Sequence, residues 1–354
     1  MIFVPYIVST GIAKAPYEYQ QKDILPIVRE MFSDRFPDID RLLRVFENTQ
    51  IDTRRFCMPI EHFAETHDFK RKNQLYIDNA VKLGMDALKN CLDQVQLSLN
   101  EVHHLFFIST TGLATPSIDA RILNELDAHP HMKRTPIWGL GCAGGAAGLS
   151  RAYDYVQAHP DELAIVVAVE LCGLTFQRDD KTKSNLVATS LFADGAAAVL
   201  VSGDRASLKG KLKIKGTMST LLKDSYDVMG WDFSSSGFHV IFSRDIPTLV
   251  KRELPKTIRE FTNFYRLNEE IDHYVIHPGG KKVLEAYQKS LSIPVEKLRL
   301  AEQILRENGN MSSCTVLFVL DRFLKNEPIQ KGEATLISAL GPGFSSELIL
   351  AEGV

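Results

Sequence analysis

The stretch Gly139-Leu140-Gly141-Cys142-Ala143-Gly144-Gly145-Ala146-Ala147-Gly148-Leu149-Ser150 lies between a short extended run, Thr135 to Trp138, and a helical pattern over residues 143–157. A strand that passes through a glycine-rich turn into a helix is the repeating unit of α/β architecture. Small residues on both sides of Cys142 allow a sharp turn and close approach of a substrate to the sulfur. A cysteine at a helix N-terminus feels the positive end of the macrodipole, which favours the nucleophilic thiolate. The bland alternative is a small cysteine packed on a glycine-rich helix. The flanking glycines and the strand-to-helix position favour the nucleophile.

The same alternation extends outward from this segment. Strands are predicted at His104–Ile108, Thr135–Trp138, Ala164–Val169, Ala196–Val201, Leu212–Lys215, His273–Ile276 and Ala334–Ser338, with a first strand at the N-terminus over Met1–Val8. Residues 74–94 place Leu75, Ile77, Ala80, Val81, Leu83, Met85, Leu88 and Cys91 mostly on one helical face. Further helices are expected over 143–157 and 314–325. The polar segment Ser202 to Gly210 marks a boundary between a first half, residues 1–205, and a second, residues 206–354. An internal echo supports two related halves. Cys142 follows the strand-end residue Ser109 by 33 positions, and Asn310 follows the strand-end residue His277 by 33 positions, each just before a helix. In an open parallel sheet, such strand ends and helix starts line the ligand crevice.

A nucleophilic cysteine needs a base within reach. His277 ends an apolar strand and precedes Pro278-Gly279-Gly280, a turn that presents its ring at the strand's edge. His62, His67, His129, His131 and His159 lie in polar contexts and read as surface residues. His103 and His104 face opposite sides of a strand, so no metal site is expected there. Asn310, within Gly309-Asn310-Met311-Ser312-Ser313, is either a helix N-cap or an amide donor to a developing oxyanion or enolate. A thiol, an imidazole and an amide together fit acyl transfer to cysteine, followed by attack of a carbanion formed from a malonyl thioester.

Composition bounds the alternatives. The chain has 354 residues, 45% hydrophobic and 24% charged, which excludes a disordered or fibrous protein. The 41 Lys and Arg against 44 Asp and Glu leave a net charge of −3, which argues against nucleic acid as a partner. Five widely spaced cysteines (Cys57, Cys91, Cys142, Cys172, Cys314) without a CxxC pair predict neither a disulfide framework nor a zinc site, and a reducing, cytoplasmic setting. The longest apolar run, Leu163 to Leu174, is interrupted by Glu170 and is too short for a membrane span.

Gly141-Cys142-Ala143-Gly144-Gly145, Leu191 to Ala198, His277 to Gly280, Gly309 to Ser313 and Gly341-Pro342-Gly343-Phe344 resemble, in order and spacing, the type III polyketide synthases, the chalcone synthase-like enzymes. Runs such as Lys181–Leu186, Asp227–Asp232 and Phe242–Val250 look most like the Bacillus alkylpyrone synthases. The resemblance implies a thiolase fold, a five-layer αβαβα arrangement of two pseudo-duplicated halves, and a homodimer. It implies Cys142, His277 and Asn310 as catalytic residues, Phe192 as gatekeeper, and Thr175, Cys172, Gly341, Pro342 and Gly343 as cavity-lining positions. Thr115-Pro116 falls where the family places a dimer-interface loop that reaches the partner's active site. Arg54 and Arg55, in the segment matching the family's CoA-phosphate site, and Lys282 are the cationic candidates for CoA. Both arginines read more readily as solvated surface charges. The second gatekeeper aligns near Val240, between Phe238 and Phe242, and Trp231 replaces a small cavity residue. The implied reaction condenses a long-chain fatty acyl-CoA with malonyl-CoA and cyclises the product to an alkylpyrone or alkylresorcinol, with no cofactor. Two alternatives remain: a β-ketoacyl-acyl carrier protein synthase III-like enzyme, and a non-catalytic acyl-CoA-binding protein of the same fold.

Overall fold

In the computed structural model, which describes residues 4–267 and 270–354, the elements run in chain order as follows. The first half holds β1 (Tyr6–Lys14), β2 (Tyr17–Gln20), α1 (Gln21–Phe32), α2 (Ile39–Asn48), β3 (Thr53–Phe56), α3 (Phe69–Asp93), β4 (His104–Ile108), α4 (Ile118–Glu125), β5 (Lys133–Ile137), α5 (Gly144–Ala158), β6 (Leu163–Leu171), α6 (Lys183–Leu191) and β7 (Asp194–Ser202). The second holds β8 (Leu212–Leu221), β9 (Met229–Ser234), β10 (Gly237–Phe242), α7 (Ile246–Phe264), β11 (His273–Ile276), α8 (Lys281–Leu291), α9 (Arg299–Asn308), α10 (Ser313–Asn326), β12 (Ala334–Gly341) and β13 (Ser345–Gly353). Met1 to Phe3 of the expected first strand lie outside the described residues, and β1 itself begins at Tyr6.

Nine strands hydrogen-bond in the order β11-β12-β13-β8-β1-β7-β6-β4-β5. On one side β4 pairs in parallel with β5 and β6, and β6 pairs antiparallel with β7. On the other, β11 pairs in parallel with β12, and β12 antiparallel with β13. The two sides repeat one pattern and meet at β1 and β8, which share only the pairs Tyr6–Lys213 and Ile7–Leu212. The corresponding helices α5 and α10 are buried between the two half-sheets, as their nearly continuous runs of buried residues record. A helix apolar on all sides belongs in such a middle layer. Amphipathic helices cover the outside: α3 buries Leu75, Tyr76, Ala80, Leu83 and Leu88 against one half, and α7 buries Val250, Leu254, Ile258 and Phe261 against the other.

The glycines after Cys142 do a different job from the one expected. A Cβ on Gly145 would stand 2.2 Å from the Ser313 carbonyl oxygen, so this glycine lets the backbones of α5 and α10 touch. The helix expected after Asn310 starts at Ser313 because Ser312 has φ +49°, outside the helical region.

Candidate active site

Cys142 sits on a single turn, Gly141–Ala143, that feeds α5. Gly141 has φ +47°, which brings its Cα against the Pro342 ring and turns Cys142 inward. The Gly141 N–H donates to Thr110 Oγ1 at 3.0 Å, fixing the turn to the end of β4. Beneath it lies Glu170, fully buried, whose carboxylate accepts from Ser313 Oγ (2.7 Å), Thr110 N (2.9 Å) and Thr111 Oγ1 (3.0 Å). This single side chain ties β6, the loop after β4 and the start of α10 together. Burial raises its carboxyl to about 7.

The Cys142 Sγ lies 4.0 Å from Asn310 Oδ1. Asn310 Oδ1 accepts the Ser312 N–H at 2.8 Å, a local turn bond of the kind that makes asparagine a favoured helix-start residue. That bond fixes the amide so that Nδ2 is the group left to donate, and it reaches Gly279 O at 3.2 Å. The two readings of Asn310 are therefore both part of one geometry. His277 follows β11, its N–H held by Ser338 O at 2.8 Å, and its side chain is buried with neither ring nitrogen partnered among the described residues. Such an imidazole is available to a reacting group. Burial pushes the Cys142 thiol up to about 12 and pulls the His277 imidazole down to about 3, so neither carries a charge by itself near neutral pH.

Cys142, His277 and Asn310 line one chamber with Cys172, Phe192, Trp231, Val240 and Pro342. A second, apolar cavity lies behind it, walled by Ile24, Ile27, Val28 and Met31 of α1 together with Phe56, Phe63, Thr175 and Ala188. Cys172, Phe192, Trp231 and Val240 belong to both and form the partition. On the other side the chamber adjoins an outer cleft through Val240, Ile241, Phe242, Ile246, Gly279 and Val283. Lys183, Arg244, Lys281 and Lys282 line that cleft.

Several expected positions shift. Arg54 is no surface charge and lies away from the cleft: it is 1% exposed and forms part of the wall of the apolar cavity. Alternation along β3 points it inward, and its guanidinium finds carbonyl partners there. Arg55, its outward neighbour, pairs with Glu18 and lines none of the three cavities. Thr175 faces the apolar cavity and not the chamber with Cys142. Of Gly341-Pro342-Gly343 only Pro342 lines the chamber; Gly341 packs on the Leu140–Ala143 turn, where a Cβ would lie 2.5 Å from Leu140 O. Lys281, Lys183 and Arg244 escaped the sequence reading. The Lys281-Lys282 pair directly after Gly279-Gly280 was the available signal, since cations at a glycine-rich helix start suit phosphate. The Thr115–Pro116 bond, left open by the sequence, is cis.

Residues 22–205 match the family model for the N-terminal domain of chalcone and stilbene synthases, and residues 213–354 the model for the C-terminal domain. The chain belongs to this family. A Bacillus subtilis (strain 168) protein carrying a chalcone synthase name is 49% identical over 98% of each chain. The 1,3,6,8-tetrahydroxynaphthalene synthase of Streptomyces peucetius is 35% identical over 97% of this chain and 92% of that protein. Among solved structures, the tetrahydroxynaphthalene synthase of Streptomyces coelicolor, a bacterial type III polyketide synthase, superposes with a TM-score of 0.92 at 26% identity, covering 98% of this chain and 99% of that one. The protein is thus a type III polyketide synthase of thiolase fold, an acyl-transferring enzyme that forms carbon–carbon bonds. No helix among the described residues is long and apolar enough to cross a membrane.

Proposed function

We propose that this polyketide synthase primes itself with a long-chain fatty acyl group, extends it with malonyl-CoA and releases an alkylpyrone. The observation that carries the starter class is the apolar cavity beside the reaction chamber, lined by Ile24, Ile27, Val28, Met31, Phe56 and Phe63. A methylene buried there contributes about 0.8 kcal/mol, so a chain that fills the cavity is favoured over a short one by several powers of ten in affinity.

In this reading His277 takes the proton of Cys142, and the sulfur attacks the acyl-CoA carbonyl. CoA leaves as the thiol with that proton, and the acyl group remains as a thioester on Cys142. Malonyl-CoA then loses carbon dioxide. The enolate oxygen of the resulting acetyl-CoA accepts hydrogen bonds from His277 and from Asn310 Nδ2, and its carbon attacks the Cys142 thioester. The carbon–carbon bond forms as the carbon–sulfur bond breaks, and the sulfur is free for the next cycle. Every step uses these side chains and CoA thioesters, so we write the reaction without a cofactor. The CoA phosphates lie in the outer cleft against Lys183, Arg244, Lys281 and Lys282. The exposed Leu113 and Trp138, beside the Thr115–Pro116 turn, form the face of a homodimer.

Purified protein incubated with palmitoyl-CoA and radiolabelled malonyl-CoA should yield labelled alkylpyrones, identified by mass spectrometry. No labelled pyrone or resorcinol from any fatty starter would overturn the reading, and a requirement for malonyl on a carrier protein would point to the synthase III-like alternative. Ala188→Trp, which fills the apolar cavity from α6, should shift the preferred starter to short chains while malonyl-CoA decarboxylation persists. The ratio of products from an equimolar mixture of hexanoyl- and palmitoyl-CoA measures this. Reversing both Lys281 and Lys282 to glutamate should raise the KM for malonyl-CoA roughly tenfold or more with kcat little changed, since each cation–phosphate contact contributes about 1 kcal/mol. A KM unchanged at low salt would move the CoA site elsewhere.

A further inference from the structure

Arg54 is the largest fully buried side chain among the described residues, yet its hydrogen bonds go to Gln21, Thr189 and Phe192 and to none of the three residues proposed to react. Its Nε donates to Gln21 Oε1 at 2.8 Å, and its Nη1 to the carbonyls of Thr189 (2.6 Å) and Phe192 (2.9 Å). Gln21 Nε2 in turn donates to Ser190 O at 2.8 Å. Two side chains thereby hold three consecutive or near-consecutive carbonyls at the C-terminal end of α6, the groups a helix leaves without partners of its own. On its other face the guanidinium carbon stands 5.4 Å from the centre of the Phe56 ring, which is a wall of the apolar cavity.

The carbonyls it holds belong to the segment that carries the partition. Phe192 is the residue directly after α6. Asn310 N donates to Leu191 O and Ala193 N donates to Asn310 O, both at 2.9 Å, so whatever places residues 191–193 also places Asn310. Gly309 completes the arrangement: a Cβ there would lie 2.9 Å from Arg54 Cγ.

A helix end needs no buried cation to satisfy it, since water, a glycine turn or a neutral amide will do. Removing a guanidinium from water is costly, and here Nη2 has no hydrogen-bond partner among the described residues. No carboxylate forms an ion pair with it within the described residues; the charge that offsets it is Asp194, whose own oxygens are taken by the Gly173 and Cys57 N–H groups. Departures of this kind from local stability gather at functional sites.

We infer that Arg54 is a positioning residue that sets the aperture between the acyl cavity and the reaction chamber, and thereby selects starter chain length. The inference rests on the proposed acyl role of the apolar cavity. Arg54, itself part of the wall of the apolar cavity, acts through the backbone of Phe192 on one side and the ring of Phe56 on the other, so its loss lets the partition relax, while Cys142 and His277, carried by other segments, stay in place.

The test compares wild type, Arg54→Met, Arg54→Lys and Gln21→Leu against an equimolar series of hexanoyl- to stearoyl-CoA. Intact-mass spectrometry reads the ratio of long to short acyl groups on the enzyme, and product mass spectrometry reads the number of extensions. Arg54→Met should change the long-to-short ratio at least fivefold, and Arg54→Lys, which keeps one donor, should recover part of the wild-type ratio. A folded Arg54→Met with the wild-type ratio overturns the inference. If Arg54→Met does not fold, Gln21→Leu decides: it frees Ser190 O and removes the acceptor of Nε, and it should shift the ratio in the same direction, an unchanged ratio being fatal. Wild type that takes up only short acyl groups would refute the long-chain reading instead, and the variants' ratios within the short series would still judge Arg54.

Discussion

Cys142→Ala should abolish polyketide formation, by about 10⁴-fold or more, with the fold intact. Deleting a covalent nucleophile removes the acyl-enzyme itself, and what survives is the binding and electrostatic part of catalysis. The substitution takes away one sulfur from a turn whose shape is set by Gly141 and Pro342, so its cost in stability should be about 1 kcal/mol. The expected observations are no mass increase on incubation with acyl-CoA, no pyrone, and a melting temperature within a few degrees of wild type. Because His277 and Asn310 remain, slow release of carbon dioxide from malonyl-CoA should continue. Retained condensation would remove Cys142 from the role of nucleophile.

In that same Cys142→Ala background, His277→Ala should lower malonyl-CoA decarboxylation by about 10²–10³-fold, the loss found when one preorganised donor to an oxyanion is deleted. Asn310→Leu should act in the same direction, since it removes Nδ2 and leaves the Ser312 N–H without its acceptor. The pH dependence separates this role from a structural one. Burial holds the His277 imidazole down to about 3, below its ordinary value near 6.5. The ring is therefore neutral throughout the range in which an exposed histidine would titrate, and with Cys142 gone no thiolate is present to raise it. Carbon dioxide release should then stay flat between pH 5.5 and 8. A fall on acidification with a midpoint near 6.5 would show an ordinary, solvated imidazole.

The extent to which the sequence disclosed this protein varied by element, for physical reasons. β4 and β11 lie where the sequence placed them, at His104–Ile108 and His273–Ile276, because short uninterrupted apolar runs are what buried parallel strands require. β13 went unread: Ser345-Ser346-Glu347 opens it with polar residues, and Glu347 is buried in spite of its charge through a bond from Ser219 Oγ and an ion pair with Arg151. The equal spacing of Ser109 to Cys142 and His277 to Asn310 pointed to a repeat, and the sheet shows the repeat as matching pairings of β4-β6-β7-β1 and β11-β12-β13-β8. Ser109 itself has no share in the chamber; it accepts the Tyr76 hydroxyl at 2.8 Å.

The sequence by itself determined the α/β class, the turn that carries Cys142, and the strand end and helix start that carry His277 and Asn310, because each follows from local patterning within a few residues. That these three groups converge on one chamber, 4.0 Å separating Cys142 Sγ from Asn310 Oδ1, was decided by the meeting of two half-sheets around α5 and α10. Tertiary structure alone decided the apolar cavity. Ile24, Ile27, Val28 and Met31 have the spacing of any buried helix face, and periodicity is the same whether that face meets a neighbour or lines a void. It also decided the fate of Arg54, since whether a charge on an alternating strand meets water or two backbone carbonyls, an amide oxygen and a phenyl ring depends on what the rest of the chain packs against it.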